Sequence, residues 1–164
     1  MKGIRNPEGR RKTEGTLPYD SELFVVDGAL RDVCVLEAEV EDWGRVVRDL
    51  VASDWVVEFS TTHPRGEELL RSGASELFGA LEQSGEDSAT LAVRVDRIWF
   101  TSYFFDRSEI EFTFDPRDVV DQSGFAAVES FMKTIGDACG KPVVMTMESS
   151  TDHAGLPALL EYRP

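Results

Sequence analysis

The sequence predicts a single α+β domain in which a largely antiparallel sheet carries about three helices on one face. Strand-like and helix-like segments follow the order strand, helix, strand, helix, three strands, helix, two strands, which is typical of an α+β sandwich. The three consecutive strands are joined by connections short enough for antiparallel hairpins. A chain of 164 residues with 41% hydrophobic residues is long enough for one core and short for two.

The amino-terminal segment differs in composition from the rest of the chain. Residues 1–21 contain several glycines and prolines among charged groups and few apolar side chains, so we expect a mobile basic arm there. The single domain is then expected over residues 22–164, with its ordered part beginning near Leu23–Val26.

The first half of the domain is predicted to alternate strands and helices. The segments are a strand over 31–40, a helix over 42–53, a strand over 55–60 and a helix over 67–83. Trp43 begins the apolar stripe of the first helix, and we interpret it as a packing residue. Gly73 and Gly79 each weaken the second helix by about 1 kcal/mol relative to alanine.

The second half is predicted to contain a three-strand meander, one helix and two further strands. The segments are strands over 90–95, 98–105 and 110–115, a helix capped by Ser123 and ended by Gly140, and strands over 142–148 and 158–162. Asp96-Arg97 and residues 106–109 form the two hairpin connections of the meander.

The middle strand of the meander is bulky on both faces, whereas its neighbours are apolar on one face only. Its two rows are Ile98, Phe100 and Phe104 on one side and Trp99, Tyr103 and Phe105 on the other. Only one row can face the helices, and the sequence does not determine which, so the other row is expected to be covered by something else. The segment Leu23–Val26, added as an extra strand, could provide that cover.

The Trp99 row has charged neighbours that suggest a protein interface. Arg94 and Glu111 lie on the strands beside it, and Asp106 and Glu109 follow it in the connecting loop. Apolar anchors surrounded by polar residues are the usual arrangement of a binding surface. The predicted partner-binding residues are Arg94, Trp99, Tyr103, Phe105, Asp106, Glu109 and Glu111.

Charge restricts the kinds of partner that the protein can bind. The formal net charge is −14, from 31 acidic and 17 basic side chains, so the folded body repels nucleic-acid backbones and anionic membranes and attracts basic proteins. Without a long apolar run or a signal-peptide core near the start, we expect a cytoplasmic location. Cys34 and Cys139 are therefore expected to be reduced thiols.

The sequence contains no recognisable catalytic motif. A nucleophile elbow, a P-loop and a dinucleotide fingerprint are all missing, and His63 and His153, the only histidines, fall in predicted loops. Glu148, Asp152 and His153 are competent metal ligands without a recognised spacing. We therefore expect no enzyme activity and no cofactor.

The carboxy-terminal third resembles a family of small bacterial immunity proteins from polymorphic toxin systems. The resemblance lies in Phe114–Arg117, Gly140–Thr146 and Leu159–Tyr162. It implies a non-enzymatic inhibitor that binds one cognate toxin, often a basic nuclease, and it transfers no functional residue.

Three functions are compatible with these features. The first is a protein-binding module, most concretely an immunity protein that inhibits a basic toxin by direct binding. The second is a homodimer that buries the Trp99 row against a second copy. The third is a small-ligand protein or enzyme with a pocket at Trp99 and Tyr103, and with Glu148 or His153 as polar groups.

Overall fold

The computed structural model describes the backbone of residues 3–5 and all of residues 17–148 and 157–164. Its strands are β1 (Gly3–Arg5), β2 (Arg31–Val35), β3 (Val56–Thr61), β4 (Ala89–Val95), β5 (Ile98–Ser102), β6 (Ile110–Phe114), β7 (Val143–Met147) and β8 (Leu160–Arg163). Its α-helices are α1 (Val40–Ala52), α2 (Gly66–Ser72), α3 (Ala74–Ser84) and α4 (Gln122–Cys139). Two short 3₁₀ helices cover Ser21–Phe24 and Pro116–Asp118.

The strands form one antiparallel sheet in the order β1-β8-β7-β2-β6-β5-β4-β3. The meander β4-β5-β6 is present as predicted, and β2 lies in the interior between β6 and β7. This arrangement confirms the predicted α+β fold with an antiparallel sheet.

The hydrophobic core lies between one face of the sheet and the helices. The long helix α4 packs against α1 and the sheet, and α1 also contacts α3. Phe131 of α4 stacks on Phe100 of β5 with ring centroids 4.0 Å apart, and Trp43 of α1 lies 6.5 Å from Phe112 of β6. These contacts join both halves of the chain in one core.

The structure shows which row of the middle strand faces the helices. Ile98 and Phe100 are fully buried in the core, and Phe104 is buried there as well. The strand ends at Ser102 and not at the predicted residue 105, because Phe104 has a positive φ of 52° that breaks the extended backbone. The Ile98 row is therefore the core row.

The predicted second helix is two helices, α2 and α3. Gly73 separates them with φ 155° and ψ 153°, a conformation open to glycine and strained for other residues. Its N–H donates to the Leu69 carbonyl and ends α2. Gly73, which the sequence predicts to weaken a single helix, is therefore the boundary between α2 and α3.

The ends of α4 confirm one predicted cap and correct the other. Gly140 ends the helix in the left-handed conformation, as predicted. The N-cap is Asp121 and not Ser123, since the Asp121 carboxylate accepts a hydrogen bond from the Gly124 N–H at 2.8 Å.

The segment Leu23–Val26 lies on the helix side of the sheet and forms no strand over the Trp99 row. Phe24 packs against Phe114 and Phe125. The buried Arg31 guanidinium fixes the segment by donating to the Leu23 and Val25 carbonyls at 3.2 and 2.9 Å. Leu23–Val26, which the sequence left open as a possible cover, therefore does not cover the Trp99 row.

Part of the predicted amino-terminal arm belongs to the sheet. The backbone of β1 pairs with β8, and the Tyr19 N–H donates to the Gln122 side chain at 2.7 Å. Residues 1–2 and 6–16 of the arm lie outside the described residues. Within the described part of the chain, no helix is both long and apolar enough to cross a bilayer.

Candidate protein-binding surface

Trp99 and Arg94 form a pair on neighbouring strands, on the face of the sheet opposite the helices. The register of β4 and β5 places the two residues directly opposite each other. The Arg94 guanidinium carbon lies 5.6 Å from the centre of the Trp99 ring, which is a cation–π distance. Arg94 is exposed and shields one side of the partly buried indole.

Tyr103 and Phe105 form an exposed aromatic pair just beyond the end of β5. Their rings stack with centroids 5.5 Å apart and an interplanar angle of 15°. The exposed fractions are 47% for Tyr103 and 87% for Phe105. Two large stacked rings left in water are a feature of interaction surfaces, because covering them releases apolar area.

The loop between β5 and β6 carries the predicted acidic residues and is held by its own hydrogen bonds. The Asp106 carboxylate accepts from the Ser108 N–H at 2.8 Å and from the Ser108 hydroxyl at 2.6 Å. These bonds, the hydroxyl first, outweigh partial burial and hold the pKa of Asp106 below its usual value. Arg107 donates to Glu82 of α3 at 3.0 and 2.8 Å and ties the loop to the helix layer.

A cavity of about 40 Å³ lies between this loop and α1. Its lining residues are Trp43, Ser102, Tyr103, Phe104, Phe105, Asp106, Glu109 and Glu111. The Trp43 side chain is almost fully buried and stacks on Phe104 at 4.7 Å. Its indole Nε1 has no hydrogen-bond acceptor among the described residues.

The structure brings together five of the seven predicted binding residues at this cavity: Tyr103, Phe105, Asp106, Glu109 and Glu111. The Arg94–Trp99 pair is not part of the lining and lies on the adjacent strands. Sequence reasoning missed the cavity itself and the contribution of Trp43, although its interpretation as a packing residue is confirmed. The missing information is the backbone turn at Phe104, which sequence periodicity does not reveal.

The remainder of the face opposite the helices is less accessible. Asp32 and Cys34 of β2 are buried, as are Val144 and Thr146 of β7. The Thr113 hydroxyl donates to Asp32 at 3.0 Å. Within residues 17–148 and 157–164, the accessible aromatic side chains on this face lie on the β4-β5 side of the sheet and in the loop after β5.

The other predicted polar candidates have structural roles or lie elsewhere. The Glu148 carboxylate accepts the Leu30 N–H at 3.0 Å, and His63 Nδ1 accepts the Arg65 N–H at 3.1 Å. Asp152 and His153 are outside the described residues, and within those residues no group of three or more potential ligands forms a metal site.

Cys34 and Cys139 are thiols and form no disulfide with each other. Burial is the main factor that raises the pKa of Cys139 to about 12. At neutral pH this thiol is therefore protonated and a poor nucleophile.

Comparison with known proteins identifies no relative of the chain. No protein-family model, curated protein or solved structure matches the chain. The resemblance to immunity proteins therefore stays a prediction.

Proposed function

We propose that the chain is a cytoplasmic protein-binding module, most concretely an immunity protein that neutralises a basic toxin by direct binding. The observation that carries the proposal is the exposed, stacked Tyr103–Phe105 pair beside three carboxylates. Aromatic residues are the commonest anchors of protein interfaces, and a polar surround excludes water from them.

Charge supports a basic partner. The net charge of −14 attracts a cationic protein over a distance of about one Debye length, roughly 8 Å at physiological salt. Asp106, Glu109 and Glu111 are acidic residues that line the cavity beside the exposed aromatic pair. This arrangement favours fast encounter and a defined orientation of the partner.

Self-association through the same surface is disfavoured. A two-fold interface centred on Tyr103 and Phe105 would bring Asp106, Glu109 and Glu111 of one copy close to those of the other. Like charges in contact oppose such a dimer.

A small-ligand site at this cavity is disfavoured by its size. Sites for metabolites usually have volumes of about 300–1,000 Å³, whereas this cavity has about 40 Å³. Trp99, predicted to line such a pocket, is not among its lining residues.

The experiment that tests the proposal is affinity capture from a lysate of the source organism, using four baits. They are the wild type, Tyr103→Ala, Phe105→Ala and the control Val51→Ala. Val51 lies on α1, is 64% exposed and does not line the cavity beside Tyr103 and Phe105. We expect one basic protein on the wild-type and Val51→Ala baits and a strong loss on the other two.

Inhibition is tested on the captured protein. Expression of that protein alone is expected to arrest growth, and the wild type, but not Tyr103→Ala, is expected to restore it. Recovery of copies of the bait only, or equal capture by all four baits, would contradict the binding surface. Capture without growth arrest would leave a binding module and remove the immunity function.

A further inference from the structure

The two strands at the ends of the sheet differ in length and in the protection of their edges. In the described part of the chain, β1 and β3 each pair on one side only, with β8 and β4 respectively. β1 has three residues, whereas β3 has six in an unbroken register with β4. Proteins usually shield an open edge with a short strand, a proline, a lysine or a bulge. β3 has none of these features, so its free edge can accept another strand.

The side chains of β3 leave apolar area uncovered beside that edge. Val57 and Phe59 face the helix side, where Phe59 packs edge-to-face on Phe104 with ring centroids 6.1 Å apart. Both side chains are only partly buried, whereas the residues opposite them on β4, Val93 and Leu91, are fully buried. A further strand at this edge would complete their cover and remove apolar area from water.

The charge of β3 and of the helix that follows it is nearly balanced, unlike that of the whole chain. Residues 56–72 hold three acidic and two basic side chains, whereas the chain has a net charge of −14. The one charge within β3 is Glu58, which is exposed on the face opposite the helices. A second copy of the chain therefore meets little net charge of its own sign along this segment.

Two-fold symmetry favours one register for such a pair. In an antiparallel pair of identical strands, residues directly opposite each other share a face of the sheet. Registers centred on Glu58 or Phe59 give the longest overlap of β3 with its copy, but the first would place two Glu58 carboxylates together. The second places Phe59 opposite its copy and Glu58 opposite Ser60. It covers the partly buried ring and keeps the two carboxylates apart.

We infer that the free edge of β3 pairs with β3 of a second copy of this chain, in an antiparallel register centred on Phe59. The two sheets form one continuous sheet across a two-fold dimer. The pairing uses the backbone edge of β3 and none of the seven residues predicted to bind a partner protein. It therefore goes beyond the proposed function and does not depend on it.

Sedimentation equilibrium of the wild type, from about 1 to about 300 μM, tests whether the dimer forms. We expect a reversible monomer–dimer equilibrium with a dissociation constant of roughly 10 μM, because two paired edge strands bury less area than a standard interface. A wild type that stays monomeric at the highest concentration would overturn the inference.

Charged substitutions at the exposed Ser60 test the register. Ser60→Glu places a second carboxylate opposite each Glu58 and is expected to weaken the dimer about tenfold. Ser60→Lys places opposite charges at the same points and is expected to strengthen the dimer several-fold. The double variant Glu58→Lys/Ser60→Glu exchanges the two signs and is expected to restore at least the wild-type affinity. Thermal unfolding checks that each variant is folded.

Ser130→Glu is the matched control for net charge. Ser130 is exposed on α4, so this variant adds the same charge outside β3 and is expected to dimerise as the wild type does. Three results would contradict the register: a dimer that Ser60→Glu does not weaken, equal weakening by Ser60→Glu and Ser60→Lys, or no recovery in the double variant.

Amide hydrogen exchange of the wild type locates the interface without any substitution. Exchange of the β3 amides that point away from β4 is expected to slow as the protein concentration rises through the dissociation constant, whereas exchange in β5 is expected to stay constant. A dimer whose β3 amides exchange as fast as those of the monomer would place the interface elsewhere and overturn the inference.

Discussion

The two sides of β5 place similar aromatic residues in opposite environments. On the helix side, Phe100 is fully buried and packs against Phe131 and Phe114. On the other side and beyond the strand end, Tyr103 and Phe105 stack on each other and stay open to solvent. The difference teaches that aromatic content alone does not identify a core, since β5 supplies a core ring and the loop directly after it supplies an exposed aromatic pair.

The strongest test of this comparison is removal of the Phe100 ring. Phe100→Ala is expected to lower the free energy of unfolding by about 3–5 kcal/mol, because a cavity replaces a ring enclosed by α4 and β6. Urea denaturation measures the change, and Tyr103→Ala is the matched loss of a ring from the exposed side. Equal losses for the two variants would contradict the assignment of the two sides.

A second test concerns charge in the helix layer. Asp42 of α1 is 1% exposed and accepts hydrogen bonds from Lys141 at 2.6 Å, Arg45 at 2.8 Å and the Glu39 N–H at 2.9 Å. Asp42→Asn is expected to lower the free energy of unfolding by about 2–3 kcal/mol, less than for a fully buried pair because Lys141 and Arg45 remain partly hydrated.

The stability difference between the wild type and Asp42→Asn is expected to depend on pH, with a direction set by the pKa of Asp42. Burial opposes ionisation of Asp42, but the bonds from Lys141, Glu39 and Arg45 outweigh it and hold the pKa below the ordinary 3.8. A depressed folded-state pKa stabilises the protein above the unfolded value and ceases to do so as the pH falls through the folded value. The stability gap between wild type and variant should therefore be full at neutral pH and narrow below pH 3.8. A gap that widened on acidification would contradict the ion pair.

Sequence patterns predicted the element order and the meander because strand alternation and helical spacing are local properties. The core row of β5 was not predictable, since Phe100 and Trp99 are both large enough to be buried. The division at Gly73 and the turn at Phe104 depend on positive φ angles, which composition does not specify. The acidic surround of Tyr103 was predictable because its residues are close in sequence, but the cavity was not, because it needs Trp43 from a distant helix.

A third test compares two glycines of the helix layer. Gly73→Ala is expected to destabilise the protein by about 1–2 kcal/mol, because φ 155° is strained for alanine and its Cβ would lie 2.5 Å from the Glu76 carboxylate. Gly79→Ala, inside α3 with open space around the new Cβ, is expected to stabilise it by about 1 kcal/mol. Thermal unfolding distinguishes the two signs. Stabilisation by both substitutions would mean that α2 and α3 form one continuous helix.

The smallest expected effect on stability is the most informative about the exposed side. Phe105→Ala should change the free energy of unfolding by less than about 0.5 kcal/mol, because a side chain that is 87% exposed loses little contact on truncation. The same substitution should weaken binding of the partner by about 2 kcal/mol or more, roughly thirtyfold, if Phe105 is an anchor. Urea denaturation and titration calorimetry measure the two quantities on one preparation. A large loss of stability with unchanged binding would place Phe105 among the core residues and reverse the comparison between the two sides of β5.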